Sequence, residues 1–278
     1  MKRKTCYALA AIAALMFAMA NPVFAQKEEG DGGTGSGSGA INEARPGFIR
    51  DTRPPLPDRV EIMEGFDDIT NLPGWDMINN SAPVGTTDWF QGNSGVFPAH
   101  MGAATAYIAA NFNNTAGVGT ISNWLITPEI DFDIFDTMTF FTRTVTGNTF
   151  PDRLEVRVSN NGASSDVGTG ATDVGDFTDL VLSINPTLTL GGYPQTYTQF
   201  TVNRADLASP SGSGRIAFRY FVTGGGPAGN NSNYIGIDTL DITELPVTIP
   251  TLGEWGLIAF VLLLMSAAVF FMKRRRLA

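Results

Sequence analysis

The sequence predicts an all-β module, a jelly-roll-like β-sandwich, set between an N-terminal signal peptide and a C-terminal transmembrane helix. Three observations predict it. Short runs of β-branched and aromatic residues alternate with polar ones through the middle of the chain. Glycine, asparagine and proline punctuate those runs, as turns require. No long stretch between the two ends has a clear helical period. Of 278 residues, 43% are hydrophobic and 16% charged, with 31 Gly and 16 Pro, so the chain is turn-rich yet apolar enough to fold.

The first segment, residues 1–25, reads as a signal peptide. Lys2-Arg3-Lys4 gives a basic start, Tyr7 to Ala20 an apolar run, and Val23-Phe24-Ala25 a small-residue cleavage site before Gln26. The alternative is a short membrane anchor. Fourteen apolar residues span about 21 Å as a helix, short of a hydrocarbon core of roughly 30 Å. The only cysteine, Cys6, falls in this segment, so the processed chain has no disulfide. Residues 26–59 read as a linker: Gly30 to Gly39 is GDGGTGSGSG, and Pro46, Pro54, Pro55 and Pro57 favour extended chain.

Residues 60–244 form the module. Leu154, Val156 and Val158 alternate with Glu155, Arg157 and Ser159 before an Asn160-Asn161-Gly162 turn. Ile216, Phe218, Tyr220 and Val222 alternate with Ala217, Arg219 and Phe221. Tyr197 to Val202, Tyr234 to Ile242 and Met138 to Val145 have strand composition too. Only Ala103 to Ala110, rich in alanine, also admits a helix.

Residues 245–278 form the tail. Trp255 to Met272 carries no charge over 18 residues and is followed by Lys273-Arg274-Arg275-Arg276. That run spans about 27 Å as a helix, enough for a thin bilayer. The basic end stays cytoplasmic and leaves the module outside, the topology that the signal peptide also gives.

Charge excludes one function class. The whole chain carries −9, but seven of its 18 positive charges lie in the two ends. Between Gln26 and Pro250 stand 11 positive and 26 negative residues, a net 11 − 26 = −15. Nucleic acid is therefore not an expected partner. One histidine and one cysteine leave little for zinc or thiol chemistry.

Two sets of residues carry family resemblances. Ile249-Pro250-Thr251-Leu252-Gly253-Glu254-Trp255-Gly256, then the apolar run, then the arginines, resemble the IPTL-type C-terminal sorting signal of bacterial envelope proteins. The resemblance implies an exosortase-type processing enzyme as partner. It also implies an inner-membrane intermediate held by the C-terminal helix, then release or transfer to the cell surface. The plainer alternative is a permanent anchor with Pro250 as breaker and Trp255 at the interface.

Glu64-Gly65-Phe66-Asp67, Leu72-Pro73-Gly74-Trp75, Asp88-Trp89, Asn123-Trp124-Leu125-Ile126-Thr127-Pro128 and Tyr234-Ile235-Gly236-Ile237-Asp238 follow in order. This set resembles the choice-of-anchor J domain, a relative of cleaved-adhesin and MAM-like domains. The resemblance implies a surface sandwich with a binding or adhesive role, toward a surface glycan or protein, and does not imply a catalytic activity. It also implies that Glu64, Asp67 and Asp238 could hold a structural Ca2+. In an ideal strand Glu64 and Asp67 point to opposite faces, so sharing an ion requires a bulge or strand end at Gly65.

His100 could serve a Ser/His/Asp triad, but no Gly-x-Ser-x-Gly elbow accompanies it. Paired carboxylates of a polysaccharide-acting enzyme cannot be told from chance pairs in so acidic a module. Trp124 and Trp75 read as core and sandwich edge. Trp89, in a polar stretch, is the tryptophan with a case for stacking on a ligand, against the general tendency of aromatics to be buried. A structural envelope or matrix protein without a small ligand is the remaining class.

Overall fold

A computed structural model describes residues 61–245 and 252–275; within the second stretch it describes side chains for residues 256–267. The expected signal peptide with its Ala25/Gln26 cleavage point, the linker, and Ile249, Pro250 and Thr251 lie outside the described residues.

Thirteen strands are described. They are β1 (Glu61–Glu64), β2 (Asp76–Asn79), β3 (Ala82–Val84), β4 (Phe90–Gln91), β5 (Ile108–Asn111), β6 (Thr115–Ile126) and β7 (Ile130–Asp131). Then come β8 (Phe135–Thr144), β9 (Leu154–Ser159), β10 (Asp179–Ile184), β11 (Thr198–Asn203), β12 (Ser213–Gly225) and β13 (Tyr234–Glu244). Every pairing is antiparallel. One sheet runs β11-β8-β13-β5-β4 with β1 also on β13; the other runs β10-β9-β12-β6-β2 with β3 on β6 and β7 on β12. The chain crosses repeatedly between the two, which makes a β-sandwich.

The alternation read from sequence works on both sheets. Phe140 and Met138 of β8 meet Phe218 and Ile216 of β12 in one apolar core, and the rings of Phe140 and Phe218 sit edge to face at 4.9 Å. The residues expected to face water on β9 and β12 do not all do so. Glu155, Ser159, Ala217 and Arg219 are buried as well. The segment after β9 folds back over the outer face of its sheet, where Val167 and Phe177 pack on Trp124, Ile126 and Ala217. Arg219 is held there by the carbonyl of Ala171 at 2.6 Å, by the Ser122 hydroxyl at 3.0 Å and by Glu155 at 3.4 Å. Its guanidinium lies over the rings of Phe221 and Trp124. Burial pulls its pKa down to about 10, against the opposing pull of Glu155.

Asp152 ties the two sheets from inside. It is fully buried. Its Oδ1 accepts the Tyr220 hydroxyl at 2.6 Å and the Asn233 N–H at 2.7 Å. Its Oδ2 meets the Thr144 hydroxyl at 2.7 Å and the Asn148 amide at 2.8 Å. Burial raises its pKa, and these four donors work against that rise.

The structure decides one open reading and does not support one expectation. Ala103 to Ala110 is not a helix: turns lead into β5, whose four residues are all buried. Edge-on pairing with β13 and β4 outweighs the helical preference of alanine. At the other end, α1 (Leu252–Arg275) has 24 residues and contains the expected 18-residue run from Trp255 to Met272. Its exposed side chains include Leu257, Ile258, Phe260 and Leu263. Among the described residues, however, no helix is long and apolar enough to cross a membrane. The expected span from Trp255 to Met272 extends beyond the side chains described.

Replacing Asp152 by Ala removes the acceptor of the buried Tyr220 hydroxyl and Asn233 N–H, whereas Thr144 keeps the Tyr234 carbonyl and Asn148 keeps the Thr144 hydroxyl. At about 1–3 kcal/mol for a buried polar group left unpaired, D152A should cost about 3 kcal/mol, read as a lower urea midpoint at unchanged slope.

Candidate functional site

Two of the acids singled out, Asp67 near the start of the module and Asp238 near its end, approach the loop at 100–102. β1 stops at Glu64 and the chain turns sharply. Phe66 is fully buried with φ 51°, a left-handed conformation that a bulky residue rarely takes. Glu64 bends back so that its Oε1 accepts the Phe66 N–H at 2.7 Å. Glu64 and Asp67 are therefore not on opposite faces of an extended strand, because the strand has ended. Burial raises the Glu64 pKa; the Phe66 N–H opposes the rise and the charge of Asp67 adds to it.

Asp238 arrives from β13. The register with β8 shifts between Asp238 and Asp241, and Thr239 between them has φ 51°. A β-branched residue in that region marks local strain, and a bulge re-aims the neighbouring side chain. Asp238 is 0% exposed. Its Oδ2 accepts the N–H groups of His100 at 2.6 Å and Met101 at 3.1 Å, and its Oδ1 that of Thr239 at 2.6 Å. Burial nonetheless lifts its pKa to about 7.

The loop at 100–102 links the acids. Met101 donates to Asp238, and Gly102 has φ +79°, with Asp67 Oδ1 only 3.3 Å from where a Cβ would stand. Glycine suits that place because it has neither the side chain nor the steric bar. Asp67 and Asp238 thus approach one loop, and Glu64 lies near Asp67. Among the described residues no group of three or more His, Cys, Asp or Glu could hold a metal ion, so the three predicted acids do not by themselves make a metal site.

His100 is structural in this corner. Its Nδ1 lies 3.0 Å from the Thr239 hydroxyl, its ring stacks on Phe141 at 3.7 Å, and burial lowers its pKa. Glu155 is likewise committed, bonded to Arg157 and Arg219.

Burial removes the ligand-stacking role that the sequence left open for Trp89. Trp89 is 4% exposed and belongs to the main core. Three asparagines turn it inward by fixing the preceding residues. Asn79 and Asn114 donate to the Thr87 carbonyl, Asn114 donates to the Asp88 carbonyl, and Asn111 accepts the Thr87 hydroxyl. Trp124 is core as expected, although under the folded-back segment rather than between the sheets. Trp75 is half-buried and meets Phe66 edge-on at 5.6 Å. Thr239, Phe141 and Gly102 were not singled out from sequence. Only Gly102, in a loop beside the lone histidine, had any signal to find.

In the tail, Leu252 opens α1, and Glu254, Trp255 and Gly256 lie in its first turns. A family profile described as the IPTL-CTERM motif matches residues 249–276. A search of curated proteins finds no match. Among solved structures the chain is similar to the K1 cleaved adhesin domain of Lys-gingipain from Porphyromonas gingivalis W83. The match has 22% identity and a TM-score of 0.46, covering 66% of this chain and 97% of that one. The K2 cleaved adhesin domain of Lys-gingipain matches at 20% identity and TM-score 0.45, covering 66% and 99%. A family 11 carbohydrate-binding module from Clostridium thermocellum matches at 14% and 0.35, covering 65% and 94%. At these scores the likenesses carry no argument about function.

The raised pKa of Asp238 has a pH consequence. The folded chain keeps that proton up to about pH 7, whereas the unfolded chain loses it near 3.8. The contribution to stability is fully present below about pH 4 and is lost as pH rises through about 7. With chelator present, the urea midpoint should fall between about pH 5 and about pH 8. D238N should show a smaller fall.

Proposed function

We propose that the protein is an exported, surface-displayed binding or adhesion module of the choice-of-anchor J type. It is delivered by processing at its C-terminal octet. The observation that carries the reading is the IPTL-CTERM match over residues 249–276, directly behind a folded acidic sandwich. The match supports a sorting enzyme as partner. The finer steps are proposals: an exosortase-type enzyme recognises Ile249 to Gly256, and the chain passes through an inner-membrane intermediate. The exposed apolar side chains of α1 from Leu257 to Met265 support the second, since such a surface calls for an apolar environment.

A surface glycan or protein is the proposed partner of the sandwich. Binding without catalysis is supported by the engagement of the conspicuous chemical groups. His100 is stacked and hydrogen-bonded, and Asp152 and Glu155 are tied into networks. Calcium is proposed for the Glu64, Asp67 and Asp238 corner, taking further oxygens from backbone and water. Its support is a buried carboxylate and two like charges in mutual repulsion. The ion would fix the loop at 100–102 and relieve that repulsion.

Four outcomes test these readings. Cell fractionation should recover the module outside the cytoplasm, and full-length protein confined to the cytoplasm overturns the export reading. Truncation before Ile249 should release soluble module, and a truncated chain still held by the membrane refutes tail-mediated attachment. A glycan array should give binding without turnover, whereas turnover lost on mutating one acid pair favours an enzyme. For calcium, chelator should lower the melting temperature, since a ligand bound only to the folded state stabilises it. An unchanged melting temperature removes the ion.

A further inference from the structure

We propose that Asn123, Asn114, Trp89 and Asp88 wall a hydration site inside the sandwich, in which bound water bridges its two sheets. On β6 the odd positions share a face. Ile121 and Leu125 belong to the main core, so Asn123 between them faces the interior. It is 0% exposed, and among the described residues neither its Oδ1 nor its Nδ2 has a hydrogen-bond partner. Within the same residues the Trp89 Nε1 and the Asn114 Oδ1 are also buried without partners. Natural cores rarely leave such groups unpaired, and a cluster of them points to a guest.

The groups form one neighbourhood. Trp89 donates its backbone N–H to the Asp88 carboxylate at 2.7 Å. Asn114 Nδ2 donates to the Asp88 carbonyl at 3.1 Å. Asn123 pairs in register with Asn79, whose amide holds the Thr87 and Asn114 carbonyls. Burial raises the Asp88 pKa, and the Trp89 N–H and the Asn123 amide oppose the rise. Asn123 therefore lies near Asp88 without making a well-formed hydrogen bond.

The unpaired set contains both donors, Trp89 Nε1 and Asn123 Nδ2, and acceptors, Asn114 Oδ1 and Asn123 Oδ1. A cation serves only the acceptors and an anion only the donors. Water serves both, and buried waters typically make two to four such bonds. Trp89 precedes β4, which lies in the sheet of β5 and β13, whereas Asn123 is on β6 in the other sheet. The water thus joins the sheets by hydrogen bonds where the surrounding contacts are apolar.

The test uses the full chain in detergent. The Trp89 indole N–H should show NMR cross-relaxation with a long-lived water. In N123L that signal should vanish and the folding equilibrium constant should drop roughly tenfold or more, because the remaining partners lose their bridge. Stronger folding of N123L overturns the proposal, since it means that the amide sat dry and unpaired. Absence of a water signal in the wild-type chain overturns it as well, and that reading alone decides the matter should N123L not fold. Tryptophan-sensitised terbium luminescence that survives in D238N but is lost in N123L would make the site a cation site and also overturn it.

Discussion

The carboxylate of Asp152 closes the sandwich from within. It takes the Tyr220 hydroxyl from β12, the Thr144 hydroxyl from β8, and donors from Asn148 and Asn233 in the connecting loops. Two sheets in apolar contact can slide, because burial has no direction. A buried acid with four donors fixes their relative position, since displacement leaves polar groups unpaired in a medium that penalises them. The Arg219 cluster does the same outside the second sheet, where it seats the segment after β9.

The strained corner depends on that frame. Thr239 and Phe66 hold left-handed conformations that an isolated chain would leave. They persist because β13 is clamped between β8, β5 and β1, and because Phe66 is locked in the core. The strain aims Asp238 at the 100–102 loop and brings Asp67 round beside it. A site of this kind needs rigid elements behind it, since a small displacement would separate its oxygens. The proposed hydration site obeys the same constraint: polar groups inside the sandwich must find partners.

Much of the fold was legible. The alternation of Leu154, Val156 and Val158 marked β9, and that of Ile216 to Val222 marked β12, because one face of each strand joins the main core. The outward set was misleading at Glu155 and Arg219. Their burial depends on the segment after β9 folding back, whose Ala171 lies 48 positions from Arg219, which a local pattern does not encode. Trp89 looked exposed for a similar reason. Its neighbours are polar, yet those polar groups spend themselves on the asparagines of β2 and of the turn before β6.

The sequence by itself determined the sandwich class, the acidic surface, the turn positions and the C-terminal motif. Each of these is written in composition or short-range order. It named Glu64, Asp67 and Asp238 through resemblance alone, and period two argued against the first pair. Only the tertiary structure decided how they lie: β1 ends at Glu64, near Asp67, and β13 bulges at Thr239, which turns Asp238 to the 100–102 loop. It also decided that His100 stacks rather than stands free and that Trp89 turns inward. Those outcomes depend on contacts between residues apart in sequence, from Asn114 with Asp88 to His100 with Asp238, 138 positions away. Their energies arise only once the two sheets have closed.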